Sequence, residues 1–348
     1  MKKTNPFSLT FGKPPKRMVQ RLLQHDEIAD ELRAEEPSQQ VFMVTGVRGV
    51  GKTVFMADLC NELADDKTWT VVFLNSSTDM LSGMLSQLAS KGELATIFKS
   101  ANINLSFFGF SVDLGRGTQI VDTEVALQKM LANMQKHGKR VLVAIDEATS
   151  TPAMREFASA FQIFLMQGLP VHLIMTGLYE NINELQNEEN LTFLYRAPKI
   201  NLEPLSIGAM AKSYQSVFEI DEEEALGMAR STKGYSFAYQ VVGYCRWKYG
   251  SGSSYLEQSK LYLEDYAYTK IWAELSGKDR KVLHGIATAE SGKVKDVREK
   301  LGMGSNELSP YRDRLIKRGL IDGSNFGHLD FTLPFFDQFI IENYFEEE

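Results

Sequence analysis

The sequence predicts an α/β chain: a parallel sheet between helices, then a run of helices, then a small helical region closed by a hairpin. Three observations predict it. The runs Val41–Val44, Val141–Ile145 and Val171–Met175 are short and apolar, interrupted only by His172, the pattern of strands buried on both faces. After the first of them, "KTVFMADLCNELADD" changes to apolar spacing of helical period. From Leu202 onward, helical patterns follow one another until "DGSNFGHLDFTLP" near the C terminus. A length of 348 residues accommodates two or three domains, each with its own core.

The composition, 43% hydrophobic and 24% charged, is that of a globular protein. A net charge of −7 and an isoelectric point near 5.5 exclude a generally basic nucleic-acid-coating surface and leave only local patches to consider. Cys60 and Cys245 lack metal or redox spacing, and His25, His137, His172, His284 and His328 lack ligand spacing. The opening "MKKTNPFSLTFGKPPKR" has no apolar signal-peptide region, and no apolar run is long enough to span a bilayer. The expected location is the cytoplasm. Lys2, Lys3, Lys13, Lys16, Arg17 and Arg21 make the N-terminal segment basic, which fits a solvated arm better than a nucleic-acid contact.

The first strand ends in Gly46, and Gly46, Gly51, Lys52 and Thr53 complete the pattern G-x-x-x-x-G-K-[ST], with Gly49 inside it. Glycines allow a tight turn that aims several N–H groups at one anion, and the helix opening at Lys52 adds its positive end. The phosphate cradle is therefore Gly46, Val47, Arg48, Gly49, Val50, Gly51, Lys52, Thr53 and Val54, with Lys52 as the point charge for the outer phosphates. The Thr53 hydroxyl suits Mg²⁺ held beside nucleotide oxygens. The second strand ends in Asp146 and Glu147. At the carboxyl end of a central parallel strand, Asp146 suits Mg²⁺ and Glu147 suits deprotonation of an attacking water. The third strand ends in Thr176, which either senses the γ-phosphate or caps the following helix.

The order "GVRGVGKT", "VLVAIDEA", "LIMTGL" and "FLYRAPKINLEPLS" resembles the AAA-type ATPases, in the archaeal-type and origin-recognition-like branch that borders the STAND signalling ATPases. The opening "NPFSLTFGKPP" is similar to bacterial ATP-binding members of that group. The resemblance implies a P-loop NTPase core with an α-helical lid, binding of ATP or ADP with Mg²⁺, and slow or partner-stimulated hydrolysis. It also implies a role for Arg196, either as an arginine finger on a neighbouring subunit or as a clasp for the lid. Two positions depart from the pattern. The second sensor would fall at Ser236 and Phe237, and "VQR", Val19 to Arg21, stands where relatives carry Gly-Arg near the base.

"INLSFFGFSVDLG" reads as a hairpin turning at Phe108-Gly109, with Ile103, Leu105, Phe107, Phe110, Val112 and Leu114 on one apolar face that packs on the sheet or meets a partner. Beyond Leu202, "YGSGSS" is the clearest break in a helical lid that extends to about Lys270. The segments "SGKDRKVLHGIATAE", "KVKDVREKLG" and "SNELSPYRDRLIKRGLI", followed by the hairpin, describe a winged helix-turn-helix. Residues 276–320 hold eleven basic against six acidic side chains, while the hairpin and tail are acidic. Arg312, Lys317 and Arg318 are the candidate contacts if the third helix enters duplex DNA; winged helices also contact proteins. The expected division is 1–201 for the ATPase core, 202–270 for the lid and 271–348 for the winged helix. The expected function is a nucleotide-driven switch acting on DNA or, alternatively, a STAND-like switch contacting protein. Its partners are nucleotide, duplex DNA or an unidentified protein client, and a second copy through the ATPase core.

Overall fold

The structure is a computed structural model that describes residues 4–10, 15–100, 122–189 and 191–345. The hairpin expected over Ile103–Leu114 lies outside the described residues. The chain divides into two compact units: Leu22–Thr45 with Lys52–Asn201, and Met1–Arg21 with Gly46–Gly51 and Leu202–Glu348.

The first unit is built on a five-stranded parallel sheet: β1 (Val41–Thr45), β2 (Trp69–Leu74), β3 (Arg140–Ile145), β4 (Val171–Gly177) and β5 (Lys199–Asn201). The strand order is β2-β3-β4-β1-β5, so β4 lies between the strands that carry the two sequence motifs. Every residue of β1 and β4 is buried, as their predominantly apolar sequences lead one to expect, and His172 and Thr176 are buried with the rest. Val44 pairs with Thr176 and Ile145 with Met175, so all three motif-bearing strands end at one edge of the sheet.

Helices α1 (Leu22–Arg33), α2 (Lys52–Ala64), α3 (Met80–Ser90), α4 (Gly92–Ser100), α5 (Thr123–Lys136), α6 (Pro152–Met166), α7 (Tyr179–Gln186) and α8 (Thr192–Tyr195) complete this unit. Several start where local chemistry dictates. Asp79, Asp122 and Thr151 each accept a hydrogen bond from the backbone N–H three residues on, and Pro152 sits at the first turn of α6, where a missing N–H costs nothing. Met84, Leu88, Met130, Phe157 and Phe161 close the core against β2, β3 and β4.

In the second unit, α9 (Ile207–Phe218), α10 (Glu222–Ser231), α11 (Ser236–Tyr249) and α12 (Ser254–Leu263) run to a π-helical turn, Glu264–Tyr268. Then follow α13 (Thr269–Ala273), α14 (Gly277–Thr288), α15 (Val294–Leu301), α16 (Ser305–Lys317), the antiparallel strands β6 (Ile321–Asp322) and β7 (Asp330–Phe331), and α17 (Phe336–Asn343). Three helices and a hairpin thus occur in the order the sequence suggests, with α17 as an unforeseen addition.

The expectation of a solvated N-terminal arm is corrected at residues 4–10. Phe7 is buried among Tyr214, Phe218 and Tyr239, ring centroids 5.6–5.7 Å away. A Cβ at Gly243 would overlap its ring, so the glycine makes the seat for it. One aromatic anchor outweighs the charge of the flanking lysines because burying a phenylalanine contributes about 1.5–3 kcal/mol. No helix of the described residues is long and apolar enough to cross a membrane.

Asp279 on α14 is buried and accepts hydrogen bonds from Arg314 on α16 and from Ser276. Arg314→Ala leaves that carboxylate without its cation, at a cost of about 2 kcal/mol for a pair exposed on one side. Amide exchange in α14 and α16 should accelerate accordingly in this variant and much less in Arg314→Lys.

Burial, and secondarily the Arg140 charge, push the β4 imidazole of His172 down to about 4. A folded-state value below the unfolded one means that the unfolded chain binds the extra proton. Stability on this account is full above about pH 6.5 and is lost as the pH falls from there toward about 4. Urea titrations at pH 7 and pH 5 should show a loss that His172→Phe reduces.

Candidate phosphate-binding site

In the first unit the geometry begins with three side chains from three elements. Thr53, in the first turn of α2, donates from its hydroxyl to Asp146 Oδ2 at 2.7 Å. Thr176, fully buried at the end of β4, donates to Asp146 Oδ1, and the Glu147 N–H is 3.1 Å from that same oxygen. Asp146 is thereby held from both sides, which orients its carboxylate. The helix-capping role weighed for Thr176 is not the one it has. Leu178 is the N-cap of α7, with no side-chain cap, while the Thr176 hydroxyl faces Asp146 and lies 3.4 Å from the Glu147 N–H.

Glu147 itself is exposed and adopts φ 51°, a left-handed conformation rare for a residue with a side chain. Such a turn costs roughly 1–3 kcal/mol and persists where surrounding contacts enforce it. Here those contacts are the bonds that Asp146 Oδ1 and Thr176 make to its N–H. The turn separates two adjacent carboxylates: Asp146 is half-buried and bonded, and Glu147 is presented to solvent.

In the second unit the loop Gly46–Gly51 is held by its carbonyls. Tyr235 Oη donates to the Arg48 carbonyl at 2.6 Å, the Phe237 N–H to Gly49 at 3.1 Å and Ser236 Oγ to Val50 at 2.8 Å. Arg21 joins them, with Nη2 2.8 Å from the Val50 carbonyl and 3.2 Å from Ser236 Oγ, and Nε 2.7 Å from the Glu203 carbonyl. Burial lowers the Arg21 guanidinium to about 10, with the Glu203 charge acting the other way. Gly49 has φ +75°, and a Cβ there would overlap Tyr235 Oη, so only glycine fits. Saturating the carbonyls of a turn fixes it in one conformation.

No curated protein sequence matches the chain. Residues 265–340 match the family model described as a domain of unknown function (DUF8462). Among solved structures, the chain is similar to a Walker-type ATPase of Pyrococcus abyssi, at 16% identity and a TM-score of 0.67 over 96% of this chain and 99% of that one. It is also similar to the ORC2 protein of Aeropyrum pernix, whose structure is of ADPNP and ADP complexes, at 13% identity and a TM-score of 0.61 over 96% and 95%. The chain has the fold of these P-loop ATPases. The resemblance read from the motifs is thus borne out at the level of the fold.

The remaining predicted residues are dispersed. Arg196 is exposed at the end of α8. On α16 the three candidate DNA contacts differ: Lys317 is exposed, Arg312 is half-buried with Gly323 of the hairpin close to its Nη2, and Arg318 is half-buried with Nη2 3.4 Å from the Glu274 carbonyl. Lys317 is thus presented to solvent, while Arg312 and Arg318 lie partly covered beside the hairpin and the end of α13. The grip of Tyr235 and Arg21 on the loop was missed. The signals were the two departures from the pattern, at Val19 to Arg21 and at Ser236 and Phe237, and Arg21 bonds to Ser236.

Gly49→Ala should destabilise the protein by about 2 kcal/mol through overlap and left-handed strain. Differential scanning calorimetry should show the lowered transition, and adding Tyr235→Phe, which removes the overlapping oxygen, should recover part of the loss.

Proposed function

We propose that the protein is an ATP-binding and ATP-hydrolysing switch whose nucleotide state sets the placement of its C-terminal segment. The observation that carries this reading is the hydrogen-bonded set Thr53–Asp146–Thr176, with Glu147 beside it, in a chain whose complete phosphate-loop motif leads directly into α2. In this reading 1–201 is the ATPase core, 202–270 the lid and 271–348 a winged helix.

The loop N–H groups and Lys52 bind the β- and γ-phosphates and offset their charge as the γ-phosphoryl transfers. Glu147 takes a proton from water as that water attacks the γ-phosphorus in line, and the bond to the ADP oxygen breaks. Thr176 keeps Asp146 and the Glu147 N–H in place. The donor set fits magnesium. Among the described residues no group of three or more His, Cys, Asp or Glu could hold a metal by itself, so Thr53 and Asp146 would hold Mg²⁺ together with phosphate oxygens and water. When bound, that ion neutralises charge on the transferring phosphoryl group.

For the output, the partial burial of Arg312 and Arg318 supports a STAND-like protein switch over direct duplex contact by α16. Arg196, exposed on the first unit, is the residue by which a second copy would complete the site. Steady-state ATP hydrolysis tests the whole reading. Turnover should be slow and indifferent to duplex DNA at low salt, should fall about a hundredfold in Glu147→Gln with ATP still bound, and should vanish with binding in Lys52→Ala. Turnover equal in wild type and Glu147→Gln would contradict hydrolysis, and stimulation by duplex would restore the DNA reading. Specific activity rising with protein concentration in wild type but not in Arg196→Ala would establish the role in trans.

A further inference from the structure

The phosphate-loop motif leaves its third position free, yet this chain places an arginine there and engages it fully. Arg48 Nε lies 3.0 and 3.2 Å from the two carboxylate oxygens of Glu274, and its Nη2 lies 2.7 Å from Oε1. This is a two-pronged, charge-assisted contact, the strong form of an ion pair, and both side chains are about two-thirds buried (34% and 28% exposed). Arg48 is held at its other end as well, through its carbonyl by Tyr235.

Glu274 is the C-cap of α13, and its own carbonyl accepts from Arg318, the C-cap of α16. The next residue, Gly319, has φ +72° and its Cβ position lies 3.8 Å from Val47 of the loop. Two consecutive loop residues, Val47 and Arg48, therefore meet two points of the segment 265–340, and the end of α16 joins those points.

We propose that Glu274 is a positioning residue for the phosphate loop, acting through Arg48, and that segment 265–340 follows the state of the loop through this pair. This rests on the reading that the loop binds nucleotide. A guanidinium anchored at Glu274 restrains the loop, and any change in the loop that moves Arg48 pulls on the end of α13 and, through Arg318, on α16. The pair thus assigns a task to a segment whose family model names none.

The test uses the full chain with Glu274→Arg, Arg48→Glu, the double reversal of both, and Glu274→Gln as the isosteric variant that keeps the fold. Two quantities are read: release of a fluorescent ADP (N-methylanthraniloyl-ADP) and the rate of chymotrypsin cleavage within 264–275. Each single reversal should speed both by about tenfold, and Glu274→Gln should do so to a smaller extent. The double reversal, which restores opposite charges, should bring both back to within about threefold of wild type. Single variants that match wild type in both readouts would overturn the proposal, as would a double reversal as loose as the singles combined. If wild type fails to bind the fluorescent ADP, the nucleotide reading falls, and the cleavage rates alone still decide whether the pair holds the segment to the loop.

Discussion

The structure depends on the saturation of one turn. A phosphate-binding loop must present its N–H groups, so its carbonyls are left to be satisfied elsewhere. Here three consecutive carbonyls, those of Arg48, Gly49 and Val50, are taken by Tyr235, by the Phe237 N–H, and by Ser236 with Arg21. None of these partners belongs to the sheet unit. The loop is chain-continuous with β1 and α2, but these three carbonyls take hydrogen bonds from the N-terminal segment and the start of α11. Any ligand that reshapes this loop acts on those elements without a further intermediary.

A second constraint sits at the sheet. Inserting β4 between β1 and β3 brings the end of a third strand into the site, and Thr176 arrives with it. The bonds Asp146 receives from Thr53 and Thr176 leave it a fixed acceptor, and the left-handed turn at Glu147 turns the neighbouring carboxylate out to solvent. Two adjacent acidic residues thus acquire different surroundings, the usual route to different chemical roles.

Much of this was legible in the sequence where one local rule acts alone. The strands β1, β3 and β4 were visible because strands buried on both faces are predominantly apolar, even though β4 takes His172 and Thr176 inside. The turn between β1 and α2 was visible because glycines at close spacing separate an apolar run from a stretch of helical period. The three-residue strand β5, mostly exposed, carries no such signature, and the order of the strands is a tertiary fact that no local pattern encodes. Nor could spacing place Arg21 beside Ser236 or Arg48 beside Glu274, since partners 215 and 226 residues apart leave no periodic trace. Nor does helical spacing fix where the Arg312 and Arg318 side chains lie. Helical spacing assigns the face of α16 correctly for Leu308 and Leu315, both buried, but long guanidinium chains bend to whatever acceptor or cover lies near the helix end.

The central claim is that the phosphate loop is the point at which the C-terminal unit registers a bound nucleotide. Amide hydrogen exchange of the full chain, with and without ADP and Mg²⁺, tests it most directly. The account predicts altered exchange at 46–53 accompanied by altered exchange at 235–239 and 270–276. Protection confined to 46–53, with both other segments unchanged, would contradict it.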